Sequence, residues 1–423
     1  MYFSDYIKKG TIGFSYGISF PLTVVLLDYW LKESGVSNSI IGMFSLFHLP
    51  FALKLFFAPI IDDCDIPFLS KTLGRKRSWV VFSQSMLIVS VFCMANVNPA
   101  NSIFTLMFCA TLVSMFDGFQ NVALYPYQIN GVQKDKRGYV AAIVNCGHKA
   151  GGIAIKLSVL WIAYFYGWTW GYKFAALAIF ICMLCIAFMK EPEDIVLSEK
   201  EIHREGVSSE IQENNYLYFD FAFRKLGIQI KKIANHPFGS SIFAILVLFR
   251  ASDFFLQKMS RAFFVEIGFS KFDIVNIVQF FGSTSVFLGG IISGYLLRKF
   301  GVINVMFYSV FAHMLSLFFY LLLYYYGNDA DILRAVIFFE GITGGAISTA
   351  FIAFLYELCK NGSQYAIMWA TPEISGFVFR FFSGIYVDKV GWESFFVLTP
   401  LLSIPVLIIL YRISMKTREI QPL

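Results

Sequence analysis

The chain has 423 residues, of which 57% are hydrophobic, 18% aromatic and only 15% charged, and its mean hydropathy is +0.65. A soluble globule carries about a quarter charged residues, so this composition excludes one and requires a multi-spanning membrane protein. The net charge of +6 does not point to nucleic acid, because most basic residues sit in short loops between apolar runs, where they set membrane orientation.

In chain order, twelve apolar stretches of spanning length cover 11–31, 38–60, 78–97, 101–124, 139–165, 170–189, 240–266, 272–297, 302–326, 332–358, 364–387 and 392–412. They are expected to be α-helices, since unpaired backbone in lipid costs several kcal/mol per group and no barrel-type alternation is present. The N-terminal MYFSDYIKKG leads into the first stretch without a small-residue cleavage site, so that stretch reads as a span and not a removed signal peptide. Between the sixth and seventh stretches, 190–237 is the only long segment in which polar residues outnumber apolar ones. The expected division is therefore an N-terminal six-helix bundle over 1–189, a cytoplasmic central loop over 190–237 and a C-terminal six-helix bundle over 238–423. Within the loop, 216–233 with Arg224, Lys225, Lys231 and Lys232 reads either as an amphipathic helix on the inner membrane surface or as a plain tether.

Basic residues favour alternate loops: Lys8 and Lys9, then Lys71, Arg75, Lys76 and Arg77, then Lys134, Lys136 and Arg137, then Arg298 and Lys299, Lys360, and Arg412, Lys416 and Arg418. The opposite set holds little beyond Lys32, Lys271 and Lys389, which puts both termini and the central loop in the cytoplasm. The seven cysteines fall mostly inside apolar runs. Cys182-x-x-Cys185 has neither a histidine nor a second Cys pair nearby, so no metal, cofactor or disulfide framework is expected.

An internal repeat runs through the chain. Gly167-Trp168 and Gly391-Trp392 are offset by 391 − 167 = 224, Asp117 and Glu340 by 340 − 117 = 223, Lys149 and Glu373 by 373 − 149 = 224, and Lys156 and Arg380 by 380 − 156 = 224. Asp28 and Asp253 differ by 253 − 28 = 225. Two six-helix halves of common plan are the pattern of a major facilitator superfamily transporter, in which the substrate site lies near mid-bilayer between the halves.

Ionisable groups inside spans cost roughly 2.5 kcal/mol or more each and mark functional sites. The acids read as intramembrane are Asp28, Asp117, Asp253, Glu340 and Glu373, and the bases are Lys54, Lys149, Lys156, Arg250 and Arg380. This balance of five and five suggests mutual pairing. Arg250, Asp253, Gln257 and Arg261 share one helix face, as do Asn145, Lys149, Gly152 and Lys156, and Glu373 and Arg380. Arg261, near the outer end of its span, reads as snorkelling to the interface. His148, beside Lys149, is the stronger histidine relay candidate and His48 the weaker, whereas His313 reads as a packed histidine bonded to backbone. G-x-x-x-G spacings at Gly13/Gly17, Gly147/Gly151, Gly290/Gly294 and Gly341/Gly345 predict close helix contacts.

Several stretches resemble the AmpG-type muropeptide permeases of that superfamily: GFSYGISFPL at 13–22, GMFSLFHLPFALKLFFAPIID at 42–62, LGRKRSW at 73–79, FFEGITGGAISTAFIAFLYEL at 338–358, SQYA at 363–366 and GIYVDKVGWESFF at 384–396. The resemblance implies proton-driven import of peptidoglycan-derived muropeptides across the bacterial inner membrane. Lys54, Asp62, Asp253, Glu340 and Arg380 stand where the family usually has the same residue. Asp117, His148, Lys149, Lys156, Arg250 and Glu373 join them as expected substrate or coupling residues, and Asp62, Arg75, Lys76 and Arg77 form an expected gating loop. The implied partners are a muropeptide-like small molecule, protons and the lipid bilayer, with no nucleic acid and a monomeric state.

The chain departs from the family where D-x-x-x-D-A-Y-R is usual, with Asn121 and Tyr125-Pro126-Tyr127-Gln128 in its place. It also has Gly147-His148-Lys149 for the usual Gly-Tyr-Arg, and Gln279 for a common lysine. These departures keep open a second transport reading, a divergent paralogue carrying another organic metabolite. A receptor would need a larger soluble domain, and a membrane-embedded enzyme a clustered catalytic set, and neither is present in the sequence.

Overall fold

A computed structural model describes residues 3–52, 57, 61, 64–129, 137–189, 239–358 and 362–420. Lys54, Asp62 and the central loop with its candidate interfacial helix lie outside the described residues. No strand occurs among those described. The helices in chain order are α1 (Phe3–Pro21), α2 (Leu27–Glu33), α3 (Asn38–Met43), α4 (Leu49–Ala52), α5 (Leu69–Leu73), α6 (Arg75–Ala95), α7 (Ile103–Ile129), α8 (Arg137–Tyr166) and α9 (Trp168–Ala187). They continue with α10 (Gly239–Leu248), α11 (Ala251–Glu266), α12 (Lys271–Asp273), α13 (Gly282–Phe300), α14 (Val302–Leu317), α15 (Phe319–Tyr326), α16 (Ala330–Leu358), α17 (Gly362–Val390), α18 (Trp392–Leu401) and α19 (Ile404–Ile420).

Among the described residues, 9 helical stretches are long and apolar enough to cross a membrane, at the first, third, fourth, sixth to tenth and twelfth expected spans. The fifth and eleventh are α8 and α17, of 30 and 29 residues. At about 1.5 Å of rise per residue these outreach a hydrocarbon core of about 30 Å. The second begins with α3, a 3-10 turn at Phe44–His48 and α4.

The chain forms two compact units, one of residues 1–30 and 47–227 and the other of residues 31–46 and 228–423. The start of the second span thus packs with the second unit. There Lys32 pairs with Glu266 at 2.5 Å and Glu33 with Lys271 at 2.9 Å, and Asn38 Nδ2 donates to Asp388 at 2.9 Å.

The repeat is visible in the backbone. Gly167 and Gly391 both hold φ near +90° (86° and 93°) and each starts the helix that follows it, α9 and α18. Only glycine adopts that conformation without strain.

In the first unit α1 lies against α8. A Cβ at Gly13 or Gly17 would overlap the carbonyls of Val144 and His148, and one at Gly147 or Gly151 those of Gly10 and Phe14. Here the expected small-residue contacts hold. In the second unit α13 packs on α16 through Gly289 and Gly345, where a Cβ would overlap the carbonyls of Ile342 and Val286. The expected Gly290/Gly294 pair is corrected, because Gly294 has nothing within 4 Å of a built Cβ, and the contact sits one position earlier. Gly17→Ala is therefore expected to lower the thermal unfolding midpoint of the purified protein, at a cost of about 1–3 kcal/mol for forced overpacking, while Gly294→Ala leaves it unchanged.

Pro21 breaks the regular pattern of the first span, which continues as a π-helical segment over Leu22–Leu26. The Leu22 carbonyl of this widened turn accepts from the fully buried Tyr172 hydroxyl at 2.8 Å. The core of this unit gathers Ile61, Trp79, Val80, Ala123, Leu124 and Ile186, and that of the second unit centres on Ile245, Met306, Ala350, Leu355, Val406 and Leu410. Outward-facing rings such as Phe104 and Phe287, 81% and 70% exposed, are what a helix presents to lipid.

Candidate functional site

The seventh span unwinds between α10 and α11, and Arg250 takes the N-cap position of α11 with a non-helical φ of −109°. Irregular backbone at membrane depth is tolerated where it is buried or lines a polar cavity, and it recurs at transporter binding sites. Asp253 sits in the first turn of α11, where the helix dipole favours its negative charge. On α17, Pro372 interrupts the hydrogen-bond ladder just before Glu373. Gly376 leaves room for the Phe254 ring, whose Cδ2 would lie 2.8 Å from a Cβ built there.

These features bring four of the expected residues together within the second unit. Arg250 Nε donates to Asp253 Oδ2 at 3.2 Å, and its Nη1 lies 3.9 Å from Glu373 Oε1. Arg380 Nη2 lies 3.7 Å from Glu373 Oε2, and its Nε donates to Gln257 Oε1 at 3.0 Å. Both guanidinium groups stack on Phe254, Arg380 at 4.2 Å and Arg250 at 4.9 Å from the ring centroid. Glu373 is 41% exposed and touches its two cations only at ion-pair range, whereas Arg380 is only 10% exposed. The arrangement is a two-arginine carboxylate cradle with a loosely held internal carboxylate in it.

Glu340 on α16 accepts a hydrogen bond of 2.6 Å from the buried Tyr320 hydroxyl. His313 on α14 meets Asp253, and here the expectation of a backbone-bonded packed histidine is corrected. Its Nε2 lies 2.6 Å from Asp253 Oδ1 and its Nδ1 2.9 Å from Thr343 Oγ1. The expected balance of five acids and five bases is also corrected, because Lys258, in mid-helix on α11, is 1% exposed and donates to the Ile41 carbonyl at 3.3 Å. That carbonyl lies near the C-terminal end of α3, where cations are favoured.

In the first unit Asp117 is buried and accepts from Ser19 Oγ and, at 2.8 Å, from Gln120 Nε2. Gln120 also donates to Ser19 at 2.7 Å, and Gln84 bridges to Ser15 and Gln120 at 2.8 and 3.1 Å. His148 stacks on Tyr16 with ring centroids 4.3 Å apart. Lys149 is exposed and Lys156 half-buried on α8. Asp28 is fully buried.

Of the expected gating loop, Lys76 is buried and Arg77 is a structural tie. The Arg77 guanidinium donates to the carbonyls of Leu73 at 2.7 Å and Met189 at 2.8 Å, closing the end of the sixth span onto α6. The Arg75 side chain, like Asp62, lies outside the described residues. Arg77→Ala is expected to lower the thermal unfolding midpoint, losing bonds from a charged donor worth about 1.5–3 kcal/mol each, with the solute affinity of the surviving folded protein unchanged.

The family model described as the Major Facilitator Superfamily matches residues 10–379. The chain belongs to the Major Facilitator Superfamily. It is a multi-pass membrane transporter, and transporters of this superfamily move small-molecule solutes. A Rickettsia bellii protein described as "Putative transporter AmpG 1" is 26% identical over 407 residues, covering 95% of this chain and 96% of that protein. A Rickettsia prowazekii protein of the same description is 27% identical over 428 residues, with coverages of 96% and 97%. These relatives are of the AmpG type that the sequence motifs resemble.

Solved transporter structures share the fold. The E. coli xylose transporter XylE, in a partially occluded inward open conformation, superposes with a TM-score of 0.67 at 13% identity, covering 97% of each chain. The nucleoside transporter NupG superposes with a TM-score of 0.67 at 14% identity, covering 96% of this chain and 98% of its own.

Proposed function

We propose that this superfamily member imports peptidoglycan-derived muropeptides across the bacterial inner membrane by proton-coupled alternating access. In this reading it works as a monomer with both termini in the cytoplasm. The carrying observation is the Arg250–Glu373–Arg380 cradle: two stacked guanidinium groups share a part-exposed carboxylate at 3.9 and 3.7 Å. A muropeptide bears carboxylates, and bidentate guanidinium recognition is the natural partner for them. A solute carboxylate entering the cradle displaces Glu373, which is held weakly enough to leave. Asp253, tied to Arg250, is the acid of the coupling site, and proton uptake at that site biases one state over another.

The full-length relatives of AmpG description support the solute, and the charge losses at Asn121, Tyr125 and Gln128 favour the second reading, a paralogue carrying a different organic anion. Equilibrium binding to the purified protein separates them. The muropeptide reading predicts saturable binding of an anhydro-muropeptide that a simple sugar does not displace. Absence of muropeptide binding beside saturable binding of another organic anion favours the paralogue.

A further inference from the structure

His313 is 2% exposed in the second unit, far from any titratable histidine role that spacing suggests, yet both its ring nitrogens meet side chains that can exchange protons. At 2.6 Å, Nε2 and Asp253 Oδ1 cannot both be bare acceptors, so one proton lies between them. At Nδ1 the partner is a hydroxyl pair. Thr343 Oγ1 lies 2.9 Å from Nδ1, 2.9 Å from Ser316 Oγ and 2.7 Å from the Phe339 carbonyl, and Ser316 Oγ lies 2.8 Å from the His313 carbonyl.

Two complete hydrogen-bond arrangements fit these distances. In one, Nδ1–H donates to Thr343, Thr343 donates to the Phe339 carbonyl, and Ser316 donates to the His313 carbonyl. In the other, Nδ1 is bare, Thr343 donates to it, and Ser316 donates to Thr343. The imidazole changes its charge by one without any nitrogen losing its partner, a property that one acceptor or one donor at Nδ1 would not give.

We propose that His313 carries the coupling proton, taking it up and releasing it at Nδ1 against the Thr343–Ser316 hydroxyl pair while Nε2 stays bonded to Asp253. This rests on the proton-coupled reading above. In release, the Nδ1–H bond breaks, the proton passes to water by way of the half-buried Thr343 hydroxyl, and both hydroxyls rotate to the second arrangement. The charged groups acting on the imidazole are Asp253 and Arg250 from α11 and Glu340 from α16, and Arg261 of α11 acts in turn on Glu340. The consequence for solute follows from Asp253, whose other oxygen accepts from Arg250. When His313 is charged, Asp253 is shared between two cations, Arg250 is held less tightly, and its guanidinium is free to take a solute carboxylate.

Nitrogen-15 magnetic resonance on histidine-labelled full-length protein in lipid bilayers reads each ring nitrogen directly and needs no solute. Between about pH 5 and pH 9, the His313 resonances, identified by their loss in His313→Gln, are expected to show Nδ1 changing from protonated to bare while Nε2 stays protonated. In Thr343→Val/Ser316→Ala, which keeps the histidine, the midpoint falls because the charged ring loses its acceptor. A neutral form protonated at Nδ1, an Nδ1 that never titrates in this range, or an unmoved midpoint in the double variant overturns the proposal. A titrating Nδ1 in a protein that binds no muropeptide leaves the proton site standing and removes the solute instead.

Discussion

Asp253→Asn is expected to abolish uphill accumulation while solute exchange across the membrane continues. A proton crossing 100 mV releases about 2.3 kcal/mol, enough to sustain about fifty-fold accumulation of a solute moved with it. An amide in place of the carboxylate neither holds the charged form of the neighbouring imidazole nor passes its charge change to Arg250, so the accumulation ratio falls to unity. The local structure tolerates the change: Arg250 keeps Glu373 at 3.9 Å, and His313 keeps a hydrogen-bonding partner in the amide oxygen and Thr343 on its other nitrogen. Exchange in counterflow-loaded vesicles, where no gradient is needed, separates lost coupling from lost folding. Uphill uptake at the original level by Asp253→Asn removes this residue from the coupling role.

Arg380→Gln and Glu373→Gln are expected to shift solute affinity in opposite directions. Arg380 is one-tenth exposed, stacks on Phe254 and bonds to Gln257, so its guanidinium is already oriented and desolvated. Truncating one partner of such a charge pair costs about 2–5 kcal/mol, so Kd for an anionic solute rises by roughly 100-fold. Glu373→Gln removes the internal competitor and leaves both arginines, so Kd falls, by about tenfold if the displaced ion pair is worth about 1.4 kcal/mol. Titration calorimetry with the purified protein measures both. Weakening by Glu373→Gln would show that Glu373 contacts the solute instead of standing in for it.

The spans and the pairing of the halves were legible because both rest on composition and on periodic spacing, which a single sequence carries. Gly167 and Gly391 stand at equivalent turns because a left-handed backbone demands glycine in each half. The stripe Arg250, Asp253, Gln257 was legible too, since spacings of three and four put residues on one helix face, and the structure turns that face to Glu373 and Arg380.

His313 escaped the same reasoning. The repeat offset points to Val89 in the other half (313 − 224 = 89), so no second ionisable residue flags it, and its partners Asp253 and Thr343 come from α11 and α16, remote in sequence. Lys258 escaped because it lies off the polar stripe of its own helix, and its partner, a backbone carbonyl of α3, has no sequence signature. The misplacement of the α13 contact by one residue, Gly289 for Gly290, has a similar cause. The adjacent small pairs Gly289-Gly290 and Ser293-Gly294 offer two small-xxx-small registers, and the crossing of the two helices selects between them.

The most direct measurement is uptake of a radiolabelled anhydro-muropeptide into right-side-out vesicles bearing the protein, with and without an imposed inward proton gradient. Accumulation that appears with the gradient, collapses with a protonophore and is absent from Asp253→Asn vesicles is the predicted result. Equal uptake with and without the gradient, or none from a protein shown to be folded and inserted, would contradict proton-coupled muropeptide import.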